Sequence, residues 1–302
     1  MKNRFFKRHQ GRGSYDLFSN YTYCLPDMGG MFLLFLLFLA GALLGNIIVL
    51  GLGFVSLEFS ATYGTVISYP VMFIPPLMYA SLQSRRNEFF DKGYKIDSNN
   101  FGNLGGIGLG LVLSIATVAV AFMTDSLTKV LPETPEWFEQ AMDSIMDAPV
   151  WITLLSVSVF APLFEEWLCR GLVLRGLLQK KSPATAITVS ALFFAVLHLN
   201  PWQAVPAFIL GAFFGYVYYK TGSLKMTMLM HCVNNTFAVI FSKIPAFSEA
   251  ECFIDVMRPW TYVLIFIACA AFTWGAITTL RCIPMKKEGS TCNCDEVDPM
   301  SI

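Results

Sequence analysis

Two adjacent glutamates, Glu165 and Glu166, share an apolar run with Arg170 in a chain of which only 14% is charged. An unpaired ionisable side chain at the centre of a bilayer costs about 3 kcal/mol on insertion scales, so each one inside an apolar segment marks a candidate site. The others are His198, and His231 with Asn234 and Asn235, all in the second half of the chain. Glu166 and Arg170 are four residues apart, so they share a helix face and can form an ion pair that offsets the burial of both. Glu165 is rotated about 100° from Glu166 and has no base three or four residues on. Facing elsewhere and desolvated, it suits a general base. Phe194 and His198 are one turn apart, so the ring can wall or orient the imidazole, and Asn200-Pro201 ends that helix just beyond. His231 and Asn235 again share a face. A carboxylate, two imidazoles and a carboxamide from three helices can activate a water and donate to an oxyanion, the two needs of amide hydrolysis. A single histidine in a span is as often structural as functional, and a Glu-Arg pair within one helix is often only structural. Convergence from three helices is what points to chemistry.

These residues must be positioned by membrane helices. Of 302 residues, 55% are hydrophobic, and the mean hydropathy is +0.56. That composition lies outside the range of a soluble domain. A crossing helix needs about 20 apolar residues. Eight runs are read as spans: 31–56, 64–82, 103–124, 150–169, 184–200, 203–220, 224–242 and 259–281. The fold class is therefore all-α, a polytopic transmembrane bundle with a central polar cavity. Residues 1–30 form a cytoplasmic lead, 31–149 the first helices and a connector, 150–283 the catalytic core and last span, and 284–302 a cytoplasmic tail. Formal net charge is zero, but its distribution orients the chain. Basic clusters at Lys2–Arg12, Arg85–Lys95, Arg175–Lys181, Lys220–Lys225 and Arg281–Lys287 all fall on one side, read as cytoplasmic, with both termini. The first span is too long for the core of a signal peptide and is read as a retained anchor.

Three further stretches are weighed. Residues 134–147 place Trp137, Phe138, Ala141, Ile145 and Met146 against Glu136, Glu139, Asp143 and Asp147, an amphipathic helix on the membrane surface or a plain connector. Glycines 102, 106 and 110 recur every fourth residue, which suits close helix packing and not a nucleotide loop, since no strand precedes them. The eight cysteines make no disulfide framework; Cys292 and Cys294 are read as a thiol pair in a flexible tail.

Glu165-Glu166-x-x-x-Arg170, Phe194-x-x-x-His198 and His231-x-x-x-Asn235, in this order on successive segments, resemble the three-motif signature of the CPBP (CAAX protease and bacteriocin-processing, or ABI) intramembrane endopeptidases, to which the Rce1-type prenyl-protein proteases belong. The resemblance covers residues 150–242. It implies that Glu165 activates the attacking water with His198 as partner, that His231 and Asn235 stabilise the oxyanion, and that Glu166, Arg170 and Phe194 support them. Glu165, His198 and His231 would also make a two-His, one-carboxylate zinc shell, although a metal-free glutamate mechanism is preferred and no obligatory cofactor is expected. The partners implied are a membrane-associated or lipidated peptide substrate and the bilayer, with no nucleic acid. Two rival classes remain. A non-catalytic scaffold or immunity-type protein would keep the fold without turnover. A proton-coupled transporter would also keep Glu and His at mid-membrane, but would show matched broken helices in two halves, which this chain does not.

Overall fold

The computed structural model describes residues 21–22, 24–87, 94–244, 247, 250 and 252–284. Most of the N-terminal lead and nearly all of the tail, including Cys292 and Cys294, lie outside the described residues. Each of the eight apolar runs is a helix: α1 Met28–Val55, α2 Leu57–Asn87, α3 Gly105–Asp125, α5 Val150–Leu178, α6 Pro183–Leu197, α7 Pro201–Thr221, α8 Leu224–Ser242 and α10 Pro259–Arg281. Between them lie the amphipathic α4, Glu136–Met146, and the single turn α9, Phe253–Val256. Two-residue strands β1, Tyr21–Thr22, and β2, Tyr94–Lys95, pair antiparallel.

Five of these helices, α1, α2, α3, α5 and α10, are long and apolar enough to cross a membrane. The remaining three runs are apolar helices that are shorter or more polar. At 15 residues α6 reaches only about 22 Å, less than the hydrocarbon thickness. Helices α7 and α8 have the length but carry more polar residues. The protein is thus an integral membrane helical bundle in which α5, α6 and α8 carry the candidate chemistry, with His198 just past the end of α6.

The bundle is built around α5. Its residues Trp167–Leu174 are all buried. On one side the α1–α2 hairpin packs against it, with Phe73 stacked on Phe164 at 5.2 Å between ring centroids. On the other, α6 and α7 complete the same core, and α3, α7, α8 and α10 form a second one around Leu109, Leu113, Phe214 and Met230. Among the three spaced glycines only Gly110 meets another helix, where an added Cβ would stand 3.3 Å from Leu229 on α8; Gly106 faces Phe101 beside it in the chain. Gly222 ends α7 with φ of 63°, a left-handed conformation that suits glycine.

The turn after Gly222 sets the start of α8. Asp97 accepts hydrogen bonds from Leu224 N at 2.8 Å and Ser223 Oγ at 3.3 Å, and pairs with Lys225 Nζ at 3.2 Å. A carboxylate at a helix N-terminus satisfies orphan N–H groups and complements the helix dipole. The segment before α3 therefore holds the helix that carries His231 and Asn235. Helix α4 lies over the N-terminal end of α7, where Trp202 Nε1 donates to the Pro132 carbonyl at 2.8 Å and Phe138 packs on Trp202.

Candidate active site

Glu165 and Glu166 end a short α-helical stretch, Ala161–Glu166, set between π-helical stretches at Leu154–Phe160 and Trp167–Leu174. The wider i→i+5 turns of π-helix recur at functional sites because they re-aim side chains and carbonyls. Glu166 and Arg170 are both fully buried, and the expected pair forms at 2.8 Å through Arg170 Nη1. Arg170 Nη2 donates to the Gly211 carbonyl at 2.9 Å. Its guanidinium lies 4.6 Å from the centroid of Phe194 and 5.5 Å from that of Phe214, so two aromatic faces also hold it. Gly211 permits this approach, since a Cβ there would stand 3.0 Å from the Phe194 ring.

Glu166 does more than neutralise Arg170. The same oxygen, Oε1, lies 2.9 Å from Nδ1 of His231. An ionised carboxylate only accepts, so Nδ1 carries the hydrogen and the outer nitrogen Nε2 is left to face the site. Glu166 is thereby the orienting partner of His231, a role beyond the helix-internal pair that spacing alone suggests.

Glu165 points away from Arg170, as the 100° rotation requires. Tyr69 of α2 donates its hydroxyl hydrogen to Oε1 of Glu165. The other oxygen, Oε2, is buried without a hydrogen-bond partner and lies 3.9 Å from His231 Nε2. That separation is beyond direct hydrogen bonding. His198 presents itself the same way as His231: its Nδ1 donates to the Phe194 carbonyl at 3.0 Å, which leaves Nε2 outward. Leu199, at φ of 57°, turns the chain sharply after it, and Asn200 Nδ2 donates to the His198 carbonyl at 2.8 Å.

Phe194 ties the two imidazoles together. Its ring meets His198 at 5.2 Å and His231 at 5.5 Å, edge-on to both. Glu165, Glu166, Arg170, Phe194 and His231 are thus joined by direct contact, and His198 joins through Phe194. Asn235 stands beside them on α8. Its Nδ2 donates to the Val157 carbonyl at 2.7 Å, in the first π-helical stretch, while its Oδ1 accepts from Asn234 at 3.0 Å. One carboxamide hydrogen is committed to α5 and the other is free for a ligand. Among the described residues no three His, Cys, Asp or Glu side chains are grouped to hold a metal ion.

Tyr69 is the site residue the sequence did not reveal. A tyrosine in an apolar helix carries no charge and has no partner at helical spacing. The only signal is general, that a buried tyrosine hydroxyl finds a partner.

Residues 147–237 match the family model of Rce1-like type II CAAX prenyl endopeptidases. That stretch carries all three motifs, from Glu165 to Asn235. This match and the three motifs agree in likening the segment to the CPBP family. Two curated proteins are similar over parts of the chain. The Bacillus subtilis (strain 168) membrane protein YdiL, classed by name with peptidases, is 22% identical over 157 residues, which is 50% of this chain and 64% of YdiL. The membrane-embedded CAAX protease MroQ of Staphylococcus aureus (strain USA300) is 31% identical over 97 residues, 30% of this chain and 39% of MroQ. The chain thus spans under two-thirds of the length of either relative. No solved structure matches it. The matched segment begins after α4, so Tyr69 reaches Glu165 from a helix outside it.

Proposed function

We propose that the chain is an intramembrane endopeptidase that hydrolyses a peptide bond of a membrane-associated or lipidated protein, with Glu165 as general base. The observation that carries this reading is Glu165 Oε2, buried, without a partner, and 3.9 Å from His231 Nε2. A water seated about 2.8 Å from each atom bridges them. Glu165 takes one proton from that water as its oxygen attacks the scissile carbonyl carbon, and later gives the proton to the departing amine.

The oxyanion falls to the second carboxamide hydrogen of Asn235 and to His231, whose ring Glu166 orients toward the site. His198, with Nε2 outward beside the shared Phe194 ring, contributes to holding the water. Side chains alone supply the activation in this mechanism. In this reading the basic loops face the cytoplasm together with both termini, and the substrate reaches the site from the bilayer.

The reading is tested with the purified chain in lipid nanodiscs and a tagged membrane peptide as substrate, with and without a chelator. Cleavage that persists with chelator and is lost in Glu165→Gln, with the variant inserted normally, is expected. Cleavage abolished by chelator overturns the side-chain mechanism, and no cleavage of any membrane peptide supports the scaffold alternative.

A further inference from the structure

Helices α6 and α7 are joined by only His198, Leu199 and Asn200. Pro201 opens α7, and a proline ring pushes the residue before it into extended backbone; Asn200 accordingly has φ of −146° and ψ of 149°. The chain therefore reverses at Leu199, which takes the left-handed φ of 57° and is the only non-glycine with a positive φ among the described residues. Helices that end this way usually place glycine there, because a Cβ makes the conformation costly. Leu199 is 59% exposed, so burial of its side chain does not offset that cost. Backbone of this kind gathers at functional sites, where the surroundings over-determine it.

Asn200 supplies those surroundings. Its Oδ1 accepts from Gln203 N at 2.8 Å and caps α7. Because that N–H can only donate, the carboxamide is fixed with its oxygen toward α7 and its amine toward α6. The two amine hydrogens go to the His198 carbonyl and to Gln203 Oε1, both at 2.8 Å. Gln203 is held in turn, its Nε2 donating to Met142 Sδ of α4 at 3.3 Å. Capping needs only the oxygen, and Asp or Ser serves there as well as Asn. The amine is surplus to the cap. It closes on a carbonyl at the end of α6, beyond the reach of that helix's own donors. His198 is thus gripped twice, at its ring by the Phe194 carbonyl and at its backbone by Asn200.

We propose that Asn200, steadied by Gln203, is a positioning residue: it holds the left-handed turn at Leu199 and so the rotation of the His198 imidazole that leaves Nε2 toward the site. The inference rests on the peptidase reading. It adds a residue that touches no substrate and acts through His198.

The test uses the full chain in nanodiscs as wild type, Asn200→Asp and Asn200→Ser. Both variants keep the capping oxygen and lose the amine; the first adds a charge and the second does not. In both, kcat for a cleaved membrane peptide is expected to fall about tenfold with KM within about twofold, because a misplaced group loses rate and not binding. The thermal midpoint stays at the wild-type value, since the cap survives. Wild-type kcat in Asn200→Ser overturns the proposal and leaves the peptidase reading intact, any loss in Asn200→Asp being then an effect of its charge. A second readout needs no turnover. The chain has three histidines, so nitrogen-15 imidazole spectra, assigned by the resonance lost in His198→Gln, report the His198 tautomer at about pH 8, where an ordinary imidazole is neutral. The wild type is expected to carry the hydrogen on Nδ1 alone, and both variants to show a mixture of tautomers. A single Nδ1–H form in both variants overturns the positioning role. If the wild type cleaves no peptide, the peptidase reading fails, and the tautomer spectra alone decide whether Asn200 sets the ring.

Discussion

Glu165 and Glu166 are neighbours in sequence with separate duties, and the difference comes from what each meets across the bundle. Glu166 is enclosed by Arg170 and His231, so its charge is spent on orientation. Glu165 is held at one oxygen by Tyr69 and left bare at the other. The hydroxyl fixes the rotation of the carboxylate and so the direction of the bare oxygen. Replacing Tyr69 with Phe removes that donor while keeping the ring packed on Phe73. A hydrogen bond to a charged group contributes about 1.5–3 kcal/mol. Steady-state kinetics of Tyr69→Phe are therefore expected to show kcat reduced at least about tenfold with KM nearly unchanged, and a kcat equal to wild type would remove Tyr69 from the site. The charged and imidazole residues were legible in the sequence because burying them in lipid is costly and their spacing follows the helix turn. Tyr69 and the Glu166–His231 contact were not, since both depend on which helices become neighbours.

At the scale of elements, the position of α8 decides whether His231 and Asn235 meet α5. Its N-terminus is fastened by Asp97, from the segment before α3, through Leu224 N, Ser223 Oγ and Lys225. Loss of a helix N-cap costs about 0.5–2 kcal/mol. Asp97→Ala should lower the thermal midpoint in detergent and reduce cleavage with it; an unchanged midpoint would show that packing alone seats α8. The far end of the bundle is tied differently. Asp255 in α9 pairs with Lys129, and that hydrogen bond holds its carboxyl below the ordinary 3.8. A carboxyl with a depressed folded pKa stabilises above its ordinary value, and the contribution is lost as pH falls through the folded one. Protection of the amides at Phe253–Met257 against hydrogen exchange, relative to the unstructured rate at each pH, should thus hold at neutral pH and fall below about pH 3.8, and in Asp255→Asn it should already be low at pH 7. The π-helical stretches of α5 had no trace in residue spacing, because the Glu166–Arg170 pair closes across the junction much as it would in a regular helix.

Over the whole molecule, the lipid-facing and site-bearing helices divide the work. Helices α1, α2 and α10 expose apolar side chains along their length, and the hydropathy of their runs announced them. Helices α6, α7 and α8 are shorter or more polar; α6 and α8 bury one face against their neighbours and expose Leu192, Val196, Leu229 and Ile240 on the other. Residues 147–237 supply the motifs, while α2, outside them, supplies the hydroxyl that holds Glu165. What unites these scales is a buried carboxylate oxygen beside an imidazole, at the place proposed for the attacking water. Its direct test is cleavage of a membrane peptide in water enriched in oxygen-18, followed by mass spectrometry of the newly formed C-terminus. Incorporation of a single heavy oxygen by the wild-type chain, with none by Glu165→Gln, is the predicted result. Equal incorporation by the Glu165→Gln variant would contradict it.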